Sequence, residues 1–291
     1  MEKTGFIGIG TVGTALALQL SKQGYSIVAA YSLSLTSARR LAQLLPDCKA
    51  CNSPQEVADV AEFVFITTPD DAIPRVAEQV HWHRGQRVVH CSGADSLDVL
   101  ETARQAGAFV GCFHPLQTFA NIDQAMENLP GSTFALQGEE PLLGSLVEMA
   151  KVLDGDWVLL KAGEKVLYHA AAVFASNYVV TLLKLATDLW KTFDIPPEKA
   201  TQALLPLLRG TVSNIGNIGL PDCITGPIAR GDLGTIRKHF EALEATAPGL
   251  VAIYRELGLQ TLPIALAKGR IDEKRAKELA ALFHEKQRKK D

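Results

Sequence analysis

The chain has 291 residues, enough for one large domain or two ordinary ones, and 47% of them are hydrophobic against 21% charged, so it can bury a sizeable core. A formal net charge of −3 excludes the electrostatic footprint of a nucleic-acid binder or of a protein held to an anionic membrane by charge. Five cysteines are odd in number and too sparse for a disulfide scaffold, so a reducing cytoplasm is the expected setting.

Met1 to Thr4 lead straight into a strand pattern without the layout of a signal peptide. No uninterrupted apolar run reaches eighteen residues, so no membrane span is expected. The nearest stretch, 167–185, is broken by Tyr168, His169, Ser176, Asn177 and Lys184. Residues 5–117 then alternate between short apolar runs and helical patterns. Strands are expected at 5–9, 26–31, 63–67, 87–90 and 108–113, and helices at 12–23, 37–45, 73–80 and 97–106. The run Phe63 to Thr67 is apolar on both faces, as a strand inside a parallel sheet must be. Such alternation predicts βαβ units and a doubly wound parallel sheet covered on both sides.

Around Leu129 the pattern changes. Residues 132–137 and 157–160 read as strands flanking a helix at 142–153. After Lys161 no strand pattern remains, and helices are expected at 165–193, 197–208, 233–257 and 272–288. Pro196 and Pro197 suit a helix start. The expected fold is therefore α/β followed by all-α. Residues 1–160 form the expected dinucleotide-binding domain, and 161–291 an all-helical domain for substrate and dimerisation. The basic tail, Lys286 to Lys290, reads as a solvated terminus.

Gly8-Ile9-Gly10-Thr11-Val12-Gly13 is a GxGxxG motif that follows a strand and opens a helix, which is the context dinucleotide binding requires. The first glycine permits the tight turn, the second lets the backbone approach a pyrophosphate, and the third lets helix and strand pack closely. The helix start, at Thr11 and Val12, then offers free N–H groups and a positive dipole end to phosphate. An NAD-specific site places Asp or Glu about 20 residues further on, against the ribose 2′-hydroxyl. Here Tyr31-Ser32-Leu33-Ser34 carries no acid, and Arg39 and Arg40 follow. Ser32, Ser34 and Arg39 are thus candidates for a 2′-phosphate, and NADP is expected over NAD.

Ligands of doubly wound sheets lie beyond the carboxyl ends of the strands. That rule selects Thr67-Thr68-Pro69-Asp70, Cys91-Ser92-Gly93-Ala94 and His114-Pro115-Leu116-Gln117-Thr118. Thr68 and Pro69 are candidates to line the nicotinamide half. Ser92 and its neighbouring N–H groups are candidates to hold a substrate oxygen, and His114 to donate a proton or brace its loop. On the helix from Lys165, the residues His169, Val173, Ser176, Asn177 and Val180 fall on one face by helical spacing. His169 is the expected proton donor and Asn177 a partner for the oxygen. Arg230, in Thr225 to Asp232, suits a substrate carboxylate bidentately, while Asp232 can cap the following helix. Cys48 and Cys51 have CxxC spacing but no second pair, so no metal site is expected.

Gly5 to Gly13 resembles the opening shared by 6-phosphogluconate dehydrogenase-like enzymes, 3-hydroxyisobutyrate dehydrogenases and pyrroline-carboxylate reductases. The segments 91–94, 114–119, 167–178 and 225–232 resemble Rossmann-like proteins that carry an uncharacterised C-terminal helical domain, some of them similar to alternative ketopantoate reductases. The resemblance implies a Rossmann domain, a helical domain that forms a homodimer, and NADPH-dependent reduction of a small carbonyl, such as 2-dehydropantoate, or of an imine. Two departures stand out. Lys165 is followed four residues later by His169, where hydroxyacid dehydrogenases have Lys then Asn. Leu33 stands where the family often has arginine. A protein that binds NADP as a sensor or scaffold, without turnover, would carry the same glycine motif.

Overall fold

A computed structural model describes residues 2–285; the basic tail from Lys286 lies outside the described residues. The chain divides into two compact units, 1–177 and 178–291.

The first unit is built on one eight-stranded sheet. Its strands are β1 (Lys3–Ile7), β2 (Ser26–Tyr31), β3 (Lys49–Ala50), β4 (Phe63–Ile66), β5 (Arg87–His90), β6 (Phe109–Leu116), β7 (Thr133–Gln137) and β8 (Asp156–Leu159), in the order β3-β2-β1-β4-β5-β6-β7-β8. The helices are α1 (Thr11–Lys22), α2 (Leu35–Leu44), α3 (Pro54–Ala58), α4 (Ile73–Gln79), α5 (Glu101–Gln105), α6 (Ile122–Asn128), α7 (Leu142–Val152) and α8 (Lys165–Ala175). The chain runs outward from β1 to β3 and then returns to place β4 on the other side of β1, so the switch point lies between β1 and β4.

Alternate residues of β4 feed two separate cores. Phe63 and Phe65 pack with Leu16, Leu20 and Leu41 on one face of the sheet, while Val64 and Ile66 pack with Ile73, Val88 and Leu100 on the other. A period of two with both faces buried is what an interior parallel strand demands. Phe6 stacks on Phe65 with centroids 5.0 Å apart, and Phe113 stacks on Phe134 at 4.5 Å. These rings fix the register of the central strands from one side.

The structure corrects several expectations. β3 was not foreseen, since two residues carry no periodicity. β6 does not end at Phe113 but runs on to Leu116, because His114 to Leu116 pair antiparallel with Thr133 to Ala135 of β7. The sheet is therefore mixed, with β7 and β8 reversed relative to β6. The helix expected over 165–193 breaks at Ser176, whose φ of −120° and ψ of −68° are not helical. The two compact units part beside that break, at 177/178, and not near residue 160.

The second unit contains α9 (Asn177–Trp190, its first residue in unit one), α10 (Pro197–Ile218), α11 (Gly226–Ala229), α12 (Leu233–Thr246), α13 (Val251–Ala267) and α14 (Glu273–His284). The helix expected to stop at Leu208 runs through Pro206 and Gly210 to Ile218. The one expected over 233–257 is interrupted at Ala247, which precedes Pro248 and is held out of the helical region. Ile236, Phe240, Leu279, Leu282 and Phe283 form the core of this unit. Gly258 permits α13 to approach α14: a Cβ there would lie 2.3 Å from Phe283 Cε1. By length and apolarity alone, 165–193 and 248–267 would pass as membrane-crossing helices, with 0% and 22% of their windows buried.

Candidate active site

The turn between β1 and α1 is built by its three glycines in three different ways. Gly8 has φ +104°, a conformation that only glycine adopts without strain, and a Cβ there would meet Thr68 N at 2.6 Å. Gly13 packs so close to the strand ends that a Cβ would lie 2.3 Å from the Gly8 carbonyl oxygen and 2.4 Å from Thr67 Oγ1. Thr67 Oγ1 in turn donates to that same carbonyl. Around Gly10, by contrast, the space where a Cβ would stand is open to 4 Å. Gly10 is the N-cap of α1, with no side-chain cap and no acid in the first turn. The first helical hydrogen bond is donated by Thr14 N–H, to Gly10, so the N–H groups of Thr11, Val12 and Gly13 remain for a ligand. An open cradle with unclaimed donors and no opposing carboxylate fits a pyrophosphate.

At the end of β2, Ser32 and Ser34 stand where an acid would select NAD, and Ser34 caps α2 without using its hydroxyl. Arg39 and Arg40 are exposed, and neither takes part in an ion pair among the described residues. Leu33 is 96% exposed. These residues fit a 2′-phosphate better than a 2′-hydroxyl, because no negative charge opposes it.

The ends of β4, β5 and β6 gather polar groups. Thr68 Oγ1 is buried without a partner, while Pro69 is exposed. Ser92 is 2% exposed, and its hydroxyl donates to Asp70 Oδ2 at 2.9 Å while accepting from the N–H groups of Ala94 and Asp95. That hydroxyl closes the turn and is not a spare donor for a substrate. His114 Nδ1 lies 2.9 Å from the Tyr168 hydroxyl, and the His114 and His169 rings face each other edge to face at 6.1 Å. Both imidazoles converge on Gly93. A Cβ there would come within 2.6 Å of His169 Nδ1 and 2.8 Å of His114 Nε2. His169 Nδ1 is buried without a hydrogen-bond partner. A buried polar atom left unpaired costs about 1–3 kcal/mol, so this one is a stored interaction.

Burial, then the Lys165 charge, then His169 pull the pKa of His114 down to about 4, and burial with Lys165 and His114 pulls that of His90 down to about 3. Both are neutral at pH 7. Burial raises the Tyr168 phenol, which keeps its proton. If the phenol hydrogen is assigned to His114 Nδ1, the hydrogen of the neutral ring falls on Nε2, toward Gly93.

The structure brings together Ser92, His114 and His169, and the turn holds Gly8, Gly10, Thr11, Val12 and Gly13. The shared face expected for His169 and Asn177 is interrupted at Ser176, and Asn177 is exposed at the start of α9. Arg230 is exposed on the second unit, where Asp232 caps α12 by accepting from Thr235 N–H at 3.0 Å. Lys165 and Tyr168 join the cluster without a role expected from the sequence, and Asp70 lies in a loop that the strand-end rule selects without giving it one. The signal for the first two was available: Lys165, Tyr168 and His169 lie at i, i+3 and i+4 on one helix face. Cys48 and Cys51 are buried thiols, with Cys48 pushed up to about 11 by burial, and among the described residues no group of three metal-ligating side chains forms.

Comparison with known proteins bears on the fold that carries these residues. Residues 2–115 match the family described as Rossmann-like domain, and residues 132–261 match a domain of unknown function (DUF2520). The first match spans about two fifths of the chain and the second a little under half, and the two follow one another along it. A 71-residue stretch is 34% identical to 2-(hydroxymethyl)glutarate dehydrogenase of Eubacterium barkeri, covering 24% of this chain and 23% of that enzyme. Among solved structures, a protein of Thermotoga maritima is 26% identical, with TM-score 0.74 over 92% of this chain and all of that one. A Bacteroides fragilis protein described as an NADP oxidoreductase is 24% identical, with TM-score 0.70 over 89% and 97%. A reductive aminase of Aspergillus terreus, in complex with NADPH and ethyl-5-oxohexanoate, is 16% identical, with TM-score 0.61 over 97% and 92%. The chain thus shares its fold with these three proteins.

Proposed function

We propose that this chain is an NADP-dependent oxidoreductase that reduces a small carbonyl or imine substrate bearing a carboxylate, 2-dehydropantoate being the most concrete choice. The observation that carries the reading is the turn at Gly8, Gly10 and Gly13: a Cβ is excluded at the first and third by backbone and strand, and open space surrounds the second. Bound there, NADPH supplies a hydride. Thr11 and Val12 offer their N–H groups to the pyrophosphate, and Ser32, Ser34 and Arg39 take the 2′-phosphate. Thr68 and Pro69 border the nicotinamide. His169 supplies the proton and His114 steadies the substrate oxygen through Nε2–H, worth together about 10²- to 10⁴-fold in rate. Asn177 stays a candidate partner for the substrate oxygen, and Arg230, on the second unit, a candidate for a substrate carboxylate.

We further propose that the helical unit pairs with a second copy of this chain. α10 runs for 22 residues and buries only Ala200, while Leu207, Val212 and Ile218 are 69%, 61% and 58% exposed. Apolar residues on that scale support a protein interface. Light scattering of the purified protein reads the dimer directly.

The functional test is an assay of NADPH oxidation with 2-dehydropantoate and with 1-pyrroline-5-carboxylate. Substrate-dependent consumption of NADPH, faster than of NADH, is expected. Binding of NADP without consumption on either would overturn the enzyme reading in favour of a sensor.

A further inference from the structure

Lys165 is 2% exposed, yet among the described residues no ion pair involves it. Its Nζ donates to the Ser92 carbonyl at 2.7 Å and lies 3.0 Å from Cys112 Sγ. Cys112 is itself buried and its thiol is raised by burial, so it is no counter-ion. A buried ammonium with only a carbonyl and a neutral thiol for company is costly, and an apolar side chain of similar length would fill the space without that cost.

The peptide that Lys165 grips is Ser92–Gly93. It is trans, so the Gly93 N–H points away from the Ser92 carbonyl. Gly93 is buried, and no acceptor among the described residues meets its N–H. The next two N–H groups of the turn, from Ala94 and Asp95, are both taken by Ser92 Oγ. Gly93 is also the residue on which His114 Nε2 and His169 Nδ1 converge.

We propose that Lys165 is a positioning residue that clamps and polarises the Ser92–Gly93 peptide, so that the Gly93 N–H serves as an oxyanion donor and the site prefers a carbonyl over an iminium substrate. This rests on the hydride-transfer reading. As hydride adds to a carbonyl carbon, the π pair of the C=O bond moves to oxygen, which then takes a proton from the imidazole side of the site. The oxygen gains negative charge on the way, and a pre-aimed N–H is worth most at that moment. An iminium carbon, in contrast, loses positive charge as hydride arrives, and a buried cation beside it opposes binding of the charged form. Asp70 has the opposite sign and touches Ser92 Oγ, but it is exposed and screened by water, whereas Lys165 is not.

Two measurements on the full chain test this. In the first, wild type and Lys165→Met are assayed with NADPH on 2-dehydropantoate and on 1-pyrroline-5-carboxylate. The expected result is a wild-type preference for the oxo acid, and a loss of about 10- to 100-fold in kcat on it in Lys165→Met. NADP affinity should stay within about twofold and imine turnover should be unreduced, with Lys165→Arg restoring part of the loss. An unchanged kcat, a loss confined to KM, or an equal loss on both substrates would overturn the proposal. In the second, Ser92–Gly93 is the sole Ser-Gly step in the sequence. Cell-free protein carrying serine labelled with 13C at the carbonyl and glycine labelled with 15N therefore gives one amide-carbonyl cross-peak. That peak should move in Lys165→Met, and in wild type on adding NADP⁺ with 2-dehydropantoate. A peak that stays put in both overturns the proposal. Wild type that consumes no NADPH on either substrate defeats the hydride reading instead, while a peak displaced in Lys165→Met still upholds the clamp. Lys165→Gln, which keeps a neutral donor for the Ser92 carbonyl, replaces the methionine variant if that one fails to fold.

Discussion

The two units of this chain solve the burial problem differently. In residues 1–177 the sheet covers both its faces from its own sequence: β4 sends Phe63 and Phe65 one way and Val64 and Ile66 the other, and each meets a full layer of helices. In residues 178–291 the core is a single cluster, while α10 buries one residue of 22. A sheet covered on both faces can hold a polar cluster such as Lys165, His114 and His169 at fixed distances, although α8 itself buries only Lys165 and leaves Val166, Leu167 and Phe174 exposed. A unit with an uncovered apolar helix needs another surface. Chemistry is accordingly expected to fail first from changes in the former, and assembly from changes in the latter.

The sharpest way to break this contrast is within the glycine turn. Gly13→Ala must push a Cβ into the Gly8 carbonyl and Thr67, and should destabilise the first unit by about 1–3 kcal/mol as well as abolish NADP binding. Gly10→Ala meets no atom of the chain, so its melting temperature should stay near that of wild type while NADP affinity falls at least about tenfold, since every 1.4 kcal/mol lost is a factor of ten. Paired thermal melts and cofactor titrations separate the two. On the other unit, Leu207→Glu with Val212→Glu should shift the proposed dimer to monomer in light scattering, with secondary structure retained by circular dichroism.

Acid should act mainly through the first unit. His114 and His90 have native pKa values of about 4 and about 3, below the ordinary 6.5. The unfolded chain therefore binds more protons than the native one in this range, and stability is lost as pH falls from about 6.5 toward 4. For His114 the window is worth roughly 3 kcal/mol. Denaturant midpoints measured from pH 7 to 4 should fall, and His114→Gln should flatten the slope. The smallest effect is on cofactor choice: Ser32→Asp should turn the preference from NADP toward NAD, by about 1–2 kcal/mol, read as the ratio of the two dissociation constants.

Much of the fold was legible because its strands obey burial alone. β2 and β5 fall where the apolar runs lie, and the glycine spacing located the phosphate turn. What escaped depended on partners distant in sequence. β3 has two residues and exists only because β2 offers an edge. β6 continues past Phe113 because β7 pairs back on it, which no local pattern announces. The helical pattern from Lys165 is continuous in sequence, whereas the structure interrupts it at Ser176, between His169 and Asn177. The sequence points to the Ser92 hydroxyl and the N–H groups beside it, yet that hydroxyl closes its own turn and the Ser92 carbonyl is the group that meets Lys165. The role of Lys165 has no local signature, because its partners, the Ser92 carbonyl and Cys112, come from the turn after β5 and from β6.

The central claim is that this turn and this cluster make a catalyst. The direct test is NADPH consumption by purified wild type, Gly10→Ala and His169→Ala on 2-dehydropantoate and 1-pyrroline-5-carboxylate, with NADP affinity measured on each. Turnover is expected in wild type, loss of both binding and turnover in Gly10→Ala, and loss of turnover by about 10²-fold or more with binding retained in His169→Ala. Wild type that binds NADP but consumes none on either substrate, or His169→Ala that turns over as fast as wild type, would contradict that claim.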